Sequence, residues 1–265
     1  GQVPLLGGQH AQRGVAQPDL IVRAMLAGQV HRLLELPGAL RQVALQTRGV
    51  GQRAQGVGDD KADVAVVEST YGDEIHESRD EVLELSAVVK QAEEEKGTVI
   101  IPSFSLQRSQ EILYIFDQLK KMKKMDEKTP VFLDSPMAIK ATGIFRDFPN
   151  LYNRKLQNQA ITDDPFDFPN LVLCDTIEKS RQIKNMVGAK IIVAGSGMMT
   201  GGRVLHHVVS FLGEPKTQLV FVGYQADGTM GRQIKDGANN VNVWGNIVTV
   251  KAQIKEIKTM SSHAD

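Results

Sequence analysis

Residues 191–207 read IIVAGSGMMTGGRVLHH. A short apolar run gives way to four glycines at 195, 197, 201 and 202, and two histidines close the stretch. An apolar run without polar alternation predicts a strand covered on both faces. Glycines directly after it let backbone approach a ligand with no Cβ in the way. The following RVLHHVVSFL reads as a helix, so the stretch is a strand, a bare loop and a helix start. His206 and His207 fall inside that helix and read as a surface or core pair rather than as catalytic groups.

The same order recurs on either side. TVIIP (98–102) precedes LQRSQEILYIFDQLKKM, in which Leu106, Ile112, Leu113, Phe116 and Leu119 fall mainly on one face. VFLDSP (131–136), LVLC (171–174) and LVFVG (219–223) each precede a helical pattern, and VAVVE (64–68) precedes a helix at 77–95. Repeated strand–helix order predicts an α/β fold, a doubly wound and mostly parallel sheet. In such sheets ligands sit outside the carboxyl ends of the strands. Here those ends carry Pro102-Ser103, Asp134-Ser135-Pro136, Gly195-Ser196-Gly197 and Gly223-Tyr224-Gln225. Arg108, Lys140, Arg203 and Arg232 follow within a helical turn or two. Helix starts and nearby cations attract anions, so the pattern predicts an anion-binding rim.

Composition sets outer bounds. Of 265 residues, Lys and Arg number 31 and so do Asp and Glu, giving a net charge of zero. A protein basic all over is excluded, but a local phosphate track is not. No run of eighteen apolar residues is present, and no membrane partner is expected. The single cysteine, Cys174, excludes an internal disulfide and a multi-thiolate metal site, and fits a reducing, cytoplasmic setting. Residues 1–60 contain six Arg, no Lys and no aromatic residue. They read as an atypical leader, disordered or marginally helical, or as a frame or fusion artefact. Residues 246–258, NIVTVKAQIKEIK, alternate apolar and polar and predict one half-buried strand.

Six stretches occur in order: ESTYGD (68–73), IPSFSLQRSQEIL (101–113), DSPMA (134–138), SGMMTGGRVLHH (196–207), FVGYQADGTMGRQI (221–234) and SSHAD (261–265). In this order they resemble the β-CASP branch of the metallo-β-lactamase-fold hydrolases, which process RNA. The resemblance implies a β-CASP domain over 75–245. Segments 61–74 and 246–265 would be remnants of a metallo-β-lactamase αββα domain. It implies that Glu68 supports the catalytic centre by hydrogen bonding. It implies that His263 contacts the scissile phosphate and serves as general acid, a task that suits imidazole near neutral pH. Ser103, Arg108, Ser135, Ser196, Gly197, Thr200, Gly201, Gly202 and Arg203 would line the RNA path.

The chain also departs from the family. The family binds two zinc ions through an HxHxDH cluster upstream of ESTYG, but residues 1–60 offer only His10 and His31. The family's last metal-binding histidine would follow Asp265. The chain therefore reads as truncated at both ends, without a complete metal site, and is expected to be inactive as written. The first expectation is a fragment of a zinc-dependent RNA nuclease, with RNA as partner and a homodimer left open. The alternative is a non-catalytic RNA-binding α/β module. An unrelated nucleotide-binding enzyme ranks last, because neither GxGxxG nor GxxxxGK[ST] is present.

Overall fold

The structure, a computed structural model, describes residues 80–260. The leader, the VAVVE stretch, Glu68 and His263 lie outside the described residues. Six strands form one sheet: β1 (Thr98–Pro102), β2 (Val131–Asp134), β3 (Leu171–Leu173), β4 (Lys190–Ala194), β5 (Gln218–Phe221) and β8 (Gln253–Glu256). Their order is β3-β2-β4-β1-β5-β8, and every pairing is parallel. A separate antiparallel hairpin joins β6 (Asn240–Val243) to β7 (Asn246–Thr249).

The unbroken apolar runs are explained by two cores. Side chains alternate across a strand, and here both directions lead inside. Val99 and Ile101 of β1, with Ile191 and Val193 of β4, enter one core. Ile100, Ile192 and Ala194 enter the other. Helices α1 (Glu81–Glu95), α2 (Arg108–Lys121) and α3 (Pro136–Asp147) cover the first face through Leu85, Val89, Leu113, Phe116 and Ala138. A short α4 (Arg154–Ala160) follows α3. The second face is covered by α6 (Val204–Phe211), α7 (Met230–Lys235) and the hairpin, with Ile183 just after α5 (Ile177–Gln182). The sheet is therefore doubly wound, as its strand–helix order predicts. Among the described residues no helix is long and apolar enough to cross a membrane.

Three expectations are corrected. Residues 246–258 form two strands, β7 and β8, that belong to different sheets. Between them the amides of Lys251 and Ala252 both donate to the Leu212 carbonyl, at 2.9 and 3.0 Å, and turn the chain. Polar–apolar alternation runs straight through this bend, so the pattern carried no trace of it. β3 is an edge strand with Val172 exposed, whereas β1, β2, β4 and β5 are buried along their whole length. The helix foreseen from Leu106 starts at Arg108.

Candidate nucleic-acid interface

In the sheet order β4 lies between β1 and β2, so the loop after β4 falls between the loops that follow those strands. The Ser103 amide donates to the Ala194 carbonyl at 2.9 Å, tying the first loop to the end of β4. Ser105 Oγ and Ser135 Oγ lie 3.1 Å apart, joining the loops after β1 and β2. On the other side Gln225, after β5, donates through Nε2 to the carbonyls of Gly197 and Gly223, both at 3.0 Å. Four sheet-end loops from distant parts of the chain thus meet in one rim.

The glycine loop closes on itself. Ser196 N donates to Gly201 O at 3.2 Å, and Val204 N to Gly195 O at 2.9 Å. Ser196 Oγ accepts from Thr200 N at 3.0 Å and lies 3.3 Å from Thr200 Oγ1. Gly202 has φ +76°, and a Cβ there would stand 2.5 Å from the Gly195 carbonyl oxygen. Only glycine satisfies both the left-handed backbone and the contact. Gly197 presses on the Phe104 ring, which a Cβ would meet at 2.9 Å. Gly201 is the opposite case: nothing lies within 4 Å of where its Cβ would be. Its bareness serves no packing need, and its face is open. Phe104 is 43% exposed and Tyr224 38% exposed, so two aromatic residues stand on the rim. The sequence reading missed Phe104 as a rim residue, because an apolar side chain beside a buried strand reads as core.

The cations behave differently from the expectation. Arg203 turns inward: Nη1 bonds Asp134 Oδ1 at 2.6 Å and the Cys174 carbonyl, and Nη2 reaches the Asp175 carbonyl. Arg108 is buried and pairs with Glu111 at 2.7 Å. Arg232 pairs with Asp227 and Asp236. Of the four cations read from the sequence, Lys140 is exposed and makes no ion pair among the described residues. Ser103 is also buried, its hydroxyl 3.1 Å from Ser109 Oγ. Ser135 is spent on Ser105 and on capping α3, accepting from Ala138 N at 3.2 Å. Ser103 and Arg108 are thus buried, and Arg203 is part-buried, beneath the rim. Ser196, Thr200, Gly201 and Gly202 reach its surface, while Gly197 is buried against Phe104.

Directly below the glycine loop lies a buried charge cluster. Asp134, at the end of β2, is fully buried. Its Oδ2 lies 2.6 Å from His207 Nε2 and 2.5 Å from Ser180 Oγ, and its Oδ1 holds Arg203. Burial by itself would raise this carboxyl. Hydrogen bonds from His207, Ser180 and Arg203 outweigh burial and hold it below its ordinary value of 3.8. An ionised carboxylate only accepts, so His207 donates from Nε2. His207 is thus a core residue and His206 an exposed one, as the helix pattern suggested. Burial first, then Asp134, pushes the Cys174 thiol up to about 12, so it is no nucleophile at neutral pH.

Among the described residues no three His, Cys, Asp or Glu side chains come together to hold a metal ion. The His207–Asp134 pair does not fit one, since Arg203 and Ser180 already fill the carboxylate's remaining positions.

Comparison with known proteins bears on the same segment. Residues 109–234 match the Beta-Casp domain family. Ribonuclease TTHA0252 of Thermus thermophilus is 33% identical over 205 residues, covering 77% of this chain and 47% of the relative. The RNase J-like protein of Methanocaldococcus jannaschii is 33% identical over 214 residues, covering 78% and 47%. The transcription termination factor FttA of Pyrococcus abyssi is 28% identical over 216 residues, covering 77% and 33%. The chain thus spans about half the length of the first two and a third of the other. The six-stranded parallel sheet, the rim at its carboxyl edge and these matches agree: the chain belongs to the β-CASP family.

Proposed function

We propose that the glycine rim is one wall of a cleft that holds a single strand of RNA in a metal-dependent nuclease. One observation carries the reading: four loops are bonded into one edge whose central glycine, Gly201, is open and has no packing partner to protect. Among the described residues the amides of Gly201 and Gly202 donate to no backbone carbonyl, which leaves them for phosphate oxygens. Phe104 and Tyr224 offer faces on which bases stack. RNA is the polymer favoured here because relatives carry ribonuclease and RNase J names.

The rim supplies grip rather than chemistry. Its hydroxyls bond one another, Ser196 with Thr200 and Ser105 with Ser135, and among the described residues neither pair bonds a titratable side chain. Phosphodiester hydrolysis is assigned to groups outside the described residues. Glu68 would hold the catalytic constellation and His263 would meet the scissile phosphate. In the family two zinc ions supply the activated water. The buried cysteine suits a reducing compartment such as the cytoplasm.

The test measures RNA binding by anisotropy and cleavage by gel, on the chain and on a version extended to carry the family's metal-binding motif. Gly201→Val should weaken binding about tenfold or more without loss of fold. His263→Ala in the extended version should abolish cleavage and leave binding intact. RNA affinity unchanged by Gly201→Val would overturn the rim assignment.

A further inference from the structure

The β6–β7 register pairs Val243 with Asn246, leaving Trp244 and Gly245 as a two-residue turn. Both have positive φ, +53° and +86°. Such turns ordinarily take Asn-Gly or Asp-Gly, because a bulky side chain is strained in that backbone region. This chain places its single tryptophan there. The strain is not offset by burial, since Trp244 is 58% exposed. The turn is held locally, Gly245 N donating to Asn242 Oδ1 at 2.8 Å. The indole lies beside the His206 ring, with centroids 4.6 Å apart and planes tilted by 51°. His206 is the third residue of α6, in the first turn after the glycine loop. The two rings therefore stand at the end of α6 that the glycine loop leads into.

We propose that Trp244 and His206 form a stacking platform for an unpaired nucleobase, extending the cleft past the glycine rim. The inference rests on the RNA reading of that rim. Bases of single strands stack on Trp and His faces without regard to sequence. The size of the surface favours a base over a protein. Asn240, Asn242 and Asn246 of the hairpin are exposed, and Ile247 is its other exposed large apolar side chain. A stable protein interface needs about 800 Å² from each partner, far more than one indole and an isoleucine provide. The asparagine amides suit the edges of a stacked base.

The single tryptophan makes the test direct. Indole emission is followed while the chain is titrated with hexaadenylate RNA, then with a blunt RNA duplex. Anisotropy of labelled hexaadenylate is read in parallel on the wild type, Trp244→Ala, Trp244→Phe and His206→Ala. Quenching by the single strand and not by the duplex is expected. Trp244→Ala should bind about tenfold more weakly, a loss the size of one stacked base, and Trp244→Phe should stay within about twofold of wild type. His206→Ala should lose severalfold. Binding by anisotropy with unchanged emission, or full affinity in Trp244→Ala, overturns the platform and leaves the RNA reading standing. No binding of the wild type at all overturns the RNA reading and the platform with it. An emission shift that follows protein concentration without RNA would make the face a contact between copies and also overturn the platform.

Discussion

Gly201 and Arg203 are two residues apart, yet one lies open on the rim and the other is locked beneath it. Gly201 has empty space where a side chain would go. Arg203 has 17% of its side chain exposed and spends its guanidinium on Asp134 and two carbonyls. Both belong to a stretch that reads as phosphate-binding. The difference shows that a cation beside a glycine loop can belong to the scaffold. Asp134 would be an uncompensated buried charge without Arg203, and burying such a charge is costly. On the proposed reading, a grip on phosphate would then rest on backbone amides, with the exposed Lys140 as the remaining cation of the four.

The sharpest way to break this division is Asp134→Ala. It leaves Arg203 and His207 buried without their acceptor, so unfolding in urea should show a loss of about 3–5 kcal/mol. A loss under 1 kcal/mol would mean the cluster is not what seats the loop. Gly202→Ala comes next. It combines a left-handed backbone with a 2.5 Å approach to the Gly195 carbonyl, and should cost about 2–3 kcal/mol. Gly201→Ala, one residue away, should stay within about 0.5 kcal/mol of wild type. Equal effects at the two positions would erase the contrast between them.

Acid provides a milder probe. The folded Asp134 carboxyl lies below its unfolded value of 3.8, so its contribution is present above that pH. It is lost as pH falls through the lower, folded value. Between pH 5 and 2 the wild type should lose stability more steeply than Asp134→Asn, as followed by urea unfolding at each pH. Parallel curves would show that another carboxylate governs the acid limb. The smallest effect is expected at the exposed cation. Lys140→Ala should lower the salt slope of RNA binding by about 0.7, the share of one phosphate contact on a single strand. Arg203→Lys should leave that slope unchanged, because its charge faces inward.

Much of this arrangement was written in the sequence, for reasons that are local. TVIIP is β1 and IIVA lies within β4, because both faces of those strands are covered and four or five apolar residues in a row leave no other reading. Ser135-Pro136 opens α3 by a hydroxyl cap and a proline in the first turn, a signal carried by two adjacent residues. What stayed hidden depends on residues far apart. The partner of Arg203 is 69 positions away, at the end of a different strand. The clamp of Gln225 on Gly197 joins loops that meet only because β4, β1 and β5 are neighbours in the sheet. The bend after β7 is set by the Leu212 carbonyl at the far end of α6, where no alternation could register it. Phe104 was not legible as a rim residue, because the glycine it lies against, Gly197, is far along the chain.

That bend has a consequence for how the molecule tolerates change. The chain leaves the second-face hairpin and is stitched to α6 before β8 begins, and Gln253 N then donates to Thr217 O at 2.8 Å to set the strand's alignment. The ribbon from Asn240 to Thr249 is thereby clipped at its base and packed along one face through Val241 and Val243, with its turn left exposed. Extra residues grafted at its tip would lengthen a spur without sliding the sheet. A reporter peptide inserted there would report on its surroundings while the parallel strands keep their alignment.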